Sequence, residues 1–172
     1  MKVEKHTIYK YCHRPFPFKI VGIKKANTLT IRRFKFLDSC CYFLDNGDQY
    51  DWNKLYGITF GLFGIHDNSV RFAWRYDTLR KNIVIAAYWY INGERNYYTL
   101  CSIDFNEKYD FKISIVGDYV TFTVLEDNFV KIGEFELYMG REILSKSKYQ
   151  CGIYFGGNRR APHKIEIKEY SE

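Results

Sequence analysis

Apolar and polar residues alternate with a period of two over much of this chain. The alternation is clearest at residues 69–76, 111–116, 119–125 and 164–168. Successive side chains of a strand point to opposite sides, so this pattern predicts antiparallel strands with one buried and one solvated face. In the first run the two sets are Val70, Phe72, Trp74 and Tyr76 against Arg71, Ala73 and Arg75.

Turn-forming residues separate these runs at short intervals. Asn92-Gly93 follows residues 83–91, and Gly117-Asp118 follows residues 111–116, and both pairs are typical of tight β-hairpins. Further turn clusters occur at residues 45–48 and 126–128. The spacing predicts about twelve short strands, as expected for a sandwich or barrel.

The fold class that follows is all-β, a two-sheet antiparallel jelly-roll sandwich of the concanavalin-A-like type with little helix. Helical signal is confined to residues 138–147, which could form one or two turns or a loop. The chain of 172 residues suits one domain, and no linker or repeat divides residues 1–172. An aromatic fraction of 19% supports strands, because Tyr and Phe fit a pleated, half-buried surface.

The formal net charge is +6, but the basic residues are scattered and interleaved with acidic ones. A nucleic-acid-binding protein usually gathers its cations on one stripe or helix, so we expect no nucleic-acid partner. A basic surface would still attract acidic glycans or acidic proteins.

The five cysteines include no C-x-x-C pair, which predicts reduced thiols and no metal site. The first six residues lack the apolar run of a signal peptide, and no stretch reaches the length of a transmembrane helix. We therefore expect synthesis in a cytoplasm and no membrane partner. A protein of this kind would reach the outside by another route, for example in a virion released by lysis.

The most distinctive segment covers residues 154–165, with the sequence YFGGNRRAPHKI. It resembles the closing motif of a group of concanavalin-A-like, lectin/glucanase-type sandwiches found in gut Bacteroidetes and their phages. Residues 72–77 and 83–95 resemble the middle hairpins of the same group. The resemblance implies a jelly roll whose first and last strands lie near each other. It implies no particular reaction, since most members of the group have no assigned activity.

The catalytic patterns of the wider superfamily are not found in the sequence. Glucanases of this fold carry an E-x-D-x-x-E strand, and the nearest match is Glu134-Phe135-Glu136 alone. Alginate-type lyases carry a Q-x-H strand, but neither Gln49 nor Gln150 precedes a histidine by two residues. We therefore identify no catalytic residue, and we expect no cofactor.

The best binding candidates are Arg71, Arg75, Tyr88 and Tyr90, which the period-two pattern places opposite the apolar faces of their strands. Aromatic rings can stack on the C–H faces of sugars, and arginine can bind hydroxyls, so these residues predict a binding patch on the concave face. Trp89 falls among isoleucines and is predicted to be core. The alternative is that the four residues form cross-strand pairs or a protein interface.

Asn158 and His163 of the closing motif are further candidates for binding glycan or a protein partner. His163 could act as a general base, but hydrogen bonds that pack its loop are an equally simple role. Asp45, Asp48 and Asp51 could supply oxygens to calcium, but their spacing does not match an EF-hand and favours an acidic turn.

These observations favour a non-enzymatic interaction module that binds glycan or decorates a larger assembly such as a phage virion. One alternative is a polysaccharide lyase or glycoside hydrolase with an unrecognised site on the concave face. Another is a purely structural capsid or tail component, as a homo-oligomer or virion component that contacts only protein.

Overall fold

The computed structural model describes residues 2–17, 25–62 and 64–171, without the side chain of Asn46. Within these residues the chain forms eleven strands, one four-residue α-helix (α1, Arg141–Leu144) and 3-10 helices at Asp38–Cys40 and Asn46–Tyr50. The strands are β1 (Lys2–Ile8), β2 (Leu29–Phe36), β3 (Asn53–Phe60), β4 (Ser69–Asp77), β5 (Asn82–Ile91), β6 (Glu94–Ile103), β7 (Tyr109–Val116), β8 (Tyr119–Glu126), β9 (Lys131–Tyr138), β10 (Lys148–Cys151) and β11 (Ile165–Ser171).

The strands form two antiparallel sheets, which confirms the predicted all-β sandwich. A six-stranded sheet has the order β1-β11-β2-β7-β8-β9, and a five-stranded sheet has the order β10-β3-β4-β5-β6. The first and last strands pair directly, with Lys2 opposite Ser171 and Ile8 opposite Ile165. The expected proximity of these two strands is therefore confirmed.

The hairpin predictions hold, whereas the helix prediction holds only in part. Asn92 and Gly93 both adopt positive φ, at 51° and 84°, as a tight turn between β5 and β6 requires. Gly117 also has a positive φ, of 60°, between β7 and β8. The predicted helical stretch at residues 138–147 yields only α1, because Tyr138 ends β9 and β10 begins at Lys148.

Aromatic side chains from both sheets meet in the core. Phe72 on β4 has no exposed surface, and its ring centroid lies 5.6 Å from that of Tyr56 on β3. Across the sandwich, the Phe72 ring meets those of Phe111 and Phe122 at 5.1 and 5.3 Å, edge to face. These contacts join β4 to β7 and β8, so they fix β4 against the six-stranded sheet.

One lateral edge of the sandwich is closed by a second aromatic group. Trp89, predicted to be core, is half-buried and packs against the main cluster. Its ring stacks on Phe135 of β9 at 5.3 Å, and Tyr98 of β6 stacks on Phe135 at 4.5 Å. These stacks connect the edge strand of one sheet to the edge strand of the other.

All five cysteines are free thiols, and Cys40 and Cys151 are buried. In the part of the chain that the structure describes, no helix is both long enough and apolar enough to cross a membrane.

Phe72→Ala should lower the free energy of unfolding by about 3–5 kcal/mol, because it removes the ring that three other aromatic rings contact. Urea denaturation followed by tryptophan fluorescence measures the change. Leu79→Ala is the matched control, since Leu79 is 91% exposed, and should change stability by less than about 0.5 kcal/mol. Equal effects of the two substitutions would contradict the central role of Phe72.

Candidate binding face of the five-stranded sheet

The outer face of the five-stranded sheet, turned away from the core, gathers four of the sequence candidates. Arg71 on β4 lies opposite Tyr88 on β5, and Ser69 lies opposite Tyr90. Arg75 follows on the same side of β4, because Phe72 and Trp74 point into the core. Arg71, Arg75, Tyr88 and Tyr90 therefore lie on one face of the sheet, and their role in binding stays a prediction.

The solvent exposure of Tyr88 differs from the prediction. Tyr88 was expected to be available to a ligand, but it is only 3% exposed. The Lys54 ammonium lies 4.5 Å from the centre of the Tyr88 ring, and the Tyr90 ring lies 5.8 Å away. These neighbours cover Tyr88, so it forms the floor of the face, while Tyr90 remains half-buried above it.

Trp52 and Lys54 belong to this face and were missed by the sequence analysis. Trp52 lies between the Arg75 guanidinium, 4.4 Å from its ring, and the Tyr97 ring at 5.3 Å. Lys54 is opposite Ala73 of β4, so it points outward with Arg71 and Arg75. Every residue of β3 is buried, so the strand lacks the alternation of apolar and polar residues that would have marked its outer face, and a β-bulge follows between Lys54 and Tyr56.

Exposed side chains border this floor. Arg75 donates a hydrogen bond to the Tyr50 carbonyl at 3.1 Å and lies 5.8 Å from the Tyr50 ring. The His66 ring meets Tyr90 edge-on at 5.3 Å. We call the whole set the cation–aromatic face: Tyr50, Trp52, Lys54, His66, Arg71, Arg75, Tyr88, Tyr90, Arg95 and Tyr97.

Arg71 is buried but makes few hydrogen bonds. It is only 5% exposed, and within the described residues its Nε has no hydrogen-bond partner. Its Nη2 donates one long bond, of 3.4 Å, to the Ile65 carbonyl. The rings of Tyr88 and Tyr90 lie 5.7 and 5.9 Å from its Cζ atom. Arg71 therefore keeps unused donor capacity in a site of low dielectric constant.

Burial and neighbouring cations lower the pKa of two side chains of this face. Burial is the main cause for Lys54, and together with the charges of Arg71 and Arg95, against the opposing effect of Asp51, it brings the pKa to about 8. Burial also lowers the pKa of His66, and Arg71 and Lys54 add to this effect. The face therefore carries an excess of positive charge near neutral pH.

The closing motif supports the fold and does not itself enter this face. Phe155 packs in the core against Tyr42, with ring centroids 5.0 Å apart. Gly156 has a φ of 75°, and its N–H donates to the buried Asn53 side chain, which in turn donates to the Tyr42 hydroxyl at 2.9 Å. Asn158 lies exposed in the following loop. The motif is explained by packing and turn geometry.

His163 makes a hydrogen bond that packs its loop, which was the alternative to a role as general base. Its Nε2 lies 2.9 Å from the carbonyl oxygen of Ser39, in the 3-10 helix after β2 of the other sheet. The acidic turn is likewise accounted for by protein contacts, because Asp48 pairs with Arg159 at 2.7 Å. Asn158 and His163 stay predictions as partner contacts, but nothing in their surroundings joins them to the cation–aromatic face.

Two other features, a cluster of possible metal ligands and a shallow concavity, are weaker candidates for a functional site. Glu4, His6 and Glu169 place donor atoms within 4.8 Å of one another, in a geometry that could hold a metal ion. Glu169 is, however, already 3.1 Å from the Arg32 guanidinium and 2.7 Å from His6. A shallow concavity of about 240 Å³ beside α1 includes Lys148, whose ammonium donates to the Leu144 carbonyl.

Comparison with known proteins identifies the fold. No family model and no curated protein matches the chain. It resembles an alginate lyase from Klebsiella pneumoniae, with a TM-score of 0.58, 10% identity, and 83% of this chain and 57% of that chain covered. It resembles a functionally unknown protein from Saccharomyces cerevisiae, with a TM-score of 0.55, 8% identity, and 99% and 89% covered.

A carbohydrate-binding module, CBM2 of an evolved Dit from Lactobacillus casei BL23 phage J-1, gives a TM-score of 0.45 at 12% identity, with 85% and 66% covered. The chain spans little more than half the length of the lyase. At these identities the first two likenesses support the sandwich fold alone. Membership of the group from gut Bacteroidetes and their phages stays a prediction.

Gly57→Ala should destabilise the protein by about 2 kcal/mol or more and displace Arg71. A Cβ at Gly57 would lie 2.0 Å from the Val70 carbonyl oxygen and 2.5 Å from Cγ of Arg71, so β3 and β4 would have to separate. Thermal unfolding measures the loss. Gly47→Ala is the control, since a Cβ there meets no atom within 4 Å, and a similar loss in both variants would refute the explanation.

Proposed function

We propose that this chain is an interaction module that binds glycan on the cation–aromatic face. The observation that carries the proposal is the combination of exposed rings and unpaired cations on one side of one sheet. Tyr97 is 54% exposed and Tyr50 is also exposed, so their rings offer apolar surface to solvent. Sugar rings present C–H faces of matching character, and such contacts bury apolar area at little cost in side-chain entropy.

The arrangement also fits the polar part of a sugar. Arg75 and Arg95 lie beside the aromatic rings, and a guanidinium offers five N–H donors in a fixed plane. Each donor can bond a hydroxyl oxygen while the neighbouring ring stacks on the sugar. The floor residues Trp52, Lys54 and Tyr88 are already packed, so the face would change little on binding.

The enzyme and structural alternatives remain distinct from this proposal. A hydrolase would need paired carboxylates, and the cation–aromatic face is built from cations and rings instead. A lyase would show itself by shortening the bound polysaccharide, with unsaturated sugar ends among the products. A purely structural component would bind no glycan and would copurify with a symmetric particle. Residence in a virion likewise stays a prediction, and analysis of intact particles would test it.

Tyr97→Ala should weaken glycan binding by about tenfold, because it removes one exposed stacking ring together with that ring's contact to Trp52. A glycan array identifies the ligand, and isothermal titration calorimetry gives the affinity. Tyr138→Ala is the matched control, since Tyr138 is 63% exposed on the other sheet, and it should leave affinity unchanged. If no glycan on the array is bound, or if both variants lose affinity equally, the proposal fails.

A further inference from the structure

We propose that the cation–aromatic face binds an acidic glycan, whose carboxylate or sulfate group lies against Arg71 and Lys54. This inference rests on the proposed function and deepens it by naming the ligand class. The chemistry shared by both groups is a negatively charged oxygen cluster attached to a sugar ring.

The distribution of ion pairs is the first support. Three exposed or half-buried arginines elsewhere have carboxylate partners: Arg32 pairs with Glu169 at 3.1 Å, Arg33 with Asp110 at 2.7 Å and Arg159 with Asp48 at 2.7 Å. On the cation–aromatic face, no ion pair within 4 Å among the described residues includes Lys54, Arg71, Arg75 or Arg95. What distinguishes this face is that four cations lie close together on one side of one sheet, and that two of them, Lys54 and Arg71, are buried.

The burial of Arg71 is the second support. A buried charge is costly unless it is paired and hydrogen-bonded. Arg71 has an Nε without a partner and one bond of 3.4 Å to Ile65, and the rings of Tyr88 and Tyr90 supply only partial compensation. An anion at the solvent-facing edge of the guanidinium would supply the missing compensation, and a carboxylate matches the planar donors best.

Lys54 adds a second cation next to this position. Lys54 and Arg71 both lie on the Tyr88 ring, at 4.5 and 5.7 Å from its centre. The Lys54 ammonium has three N–H donors, and among the described residues it uses one, to the Trp52 carbonyl. A single anionic group on the solvent side of the two cations would meet donors from both.

The test compares three probes at matched length: a polyuronate, a sulfated galactan and a neutral glucan. Calorimetry should show the neutral glucan binding at least about tenfold more weakly than one of the acidic probes. Preference between polyuronate and sulfated galactan tells which anion is bound. Equal affinity for neutral and acidic probes would overturn this inference but leave the proposed function intact, whereas no binding to any glycan would overturn both.

Arg71→Gln locates the anion. We expect at least a tenfold loss of affinity for the acidic probe, with the neutral probe little changed. Arg80→Gln is the control, because Arg80 is exposed in the β4–β5 turn and its loss changes the net charge equally. Equal losses of affinity in the two variants would indicate general electrostatic attraction and would refute the placement of the anion at Arg71. If Arg71→Gln does not fold, Arg71→Lys provides the same comparison, since it keeps the charge and loses the planar donors.

The pH dependence gives an independent readout. The groups that face Lys54 are Asp51 before β3, Arg71 on β4, Tyr88 on β5, Arg95 on β6 and the stacked pair Tyr154 and His13. Burial and the two arginines place the pKa of Lys54 at about 8, so the free protein loses this charge as the pH rises.

Affinity for the acidic probe should therefore fall by about tenfold between pH 7 and pH 9. The pKa of His66 is lowered from its ordinary value, so His66 does not change charge over this interval. In Lys54→Met the fall should vanish, which separates Lys54 from the surrounding groups. A fall of the same size in the variant would contradict the role of Lys54.

Discussion

The packing of β4, in the middle of the five-stranded sheet, against the six-stranded sheet is the constraint on which the binding face depends. Phe72 and Trp74 point inward and are fully buried, and each meets an aromatic ring of the six-stranded sheet, Phe111 and Phe36 respectively. Because side chains alternate along a strand, this packing fixes Arg71 and Arg75 on the opposite side. A slip of one residue would bury the arginines in the core, so the register of β4 is strongly specified.

A rigid strand allows the outer face to hold repelling charges close together. Burial is the main cause of the lowered pKa of Lys54, and repulsion from Arg71 and Arg95 adds to it; flexible side chains would move apart. Aromatic rings under and between them compensate part of this repulsion by cation–π contacts. Gly57 permits the close approach of β3 to Arg71 that the arrangement needs. The repulsion is thus maintained by the fold, which is a common property of sites that gain stability when a ligand binds.

Sequence periodicity predicted those parts of the structure that depend on neighbours along the chain. It placed Arg71 and Arg75 on one side of β4, and the Asn92-Gly93 turn aligned β5 with β6. It failed where the outcome depends on other strands. Tyr88 is buried because Lys54 of β3 lies over it, and no pattern within β5 contains that information. Trp52 and Lys54 were missed because β3 is buried on both faces, so its sequence has no period of two that separates an outer from an inner side.

The closing motif, which made the fold recognisable in the sequence, also supports the strand that carries part of the binding face. The Phe155–Gly156 segment was distinctive in sequence, yet its side chains pack inward or support a turn. Its connection to the binding face runs through Asn53, which is buried and accepts the Gly156 N–H. Asn53 lies between Trp52 and Lys54 in the chain, and the main chain of Lys54 pairs in both directions with Tyr154. The motif therefore fixes the start of β3, where an unusual sequence is needed because the bulge leaves fewer regular ladder bonds to hold Trp52 and Lys54 in place.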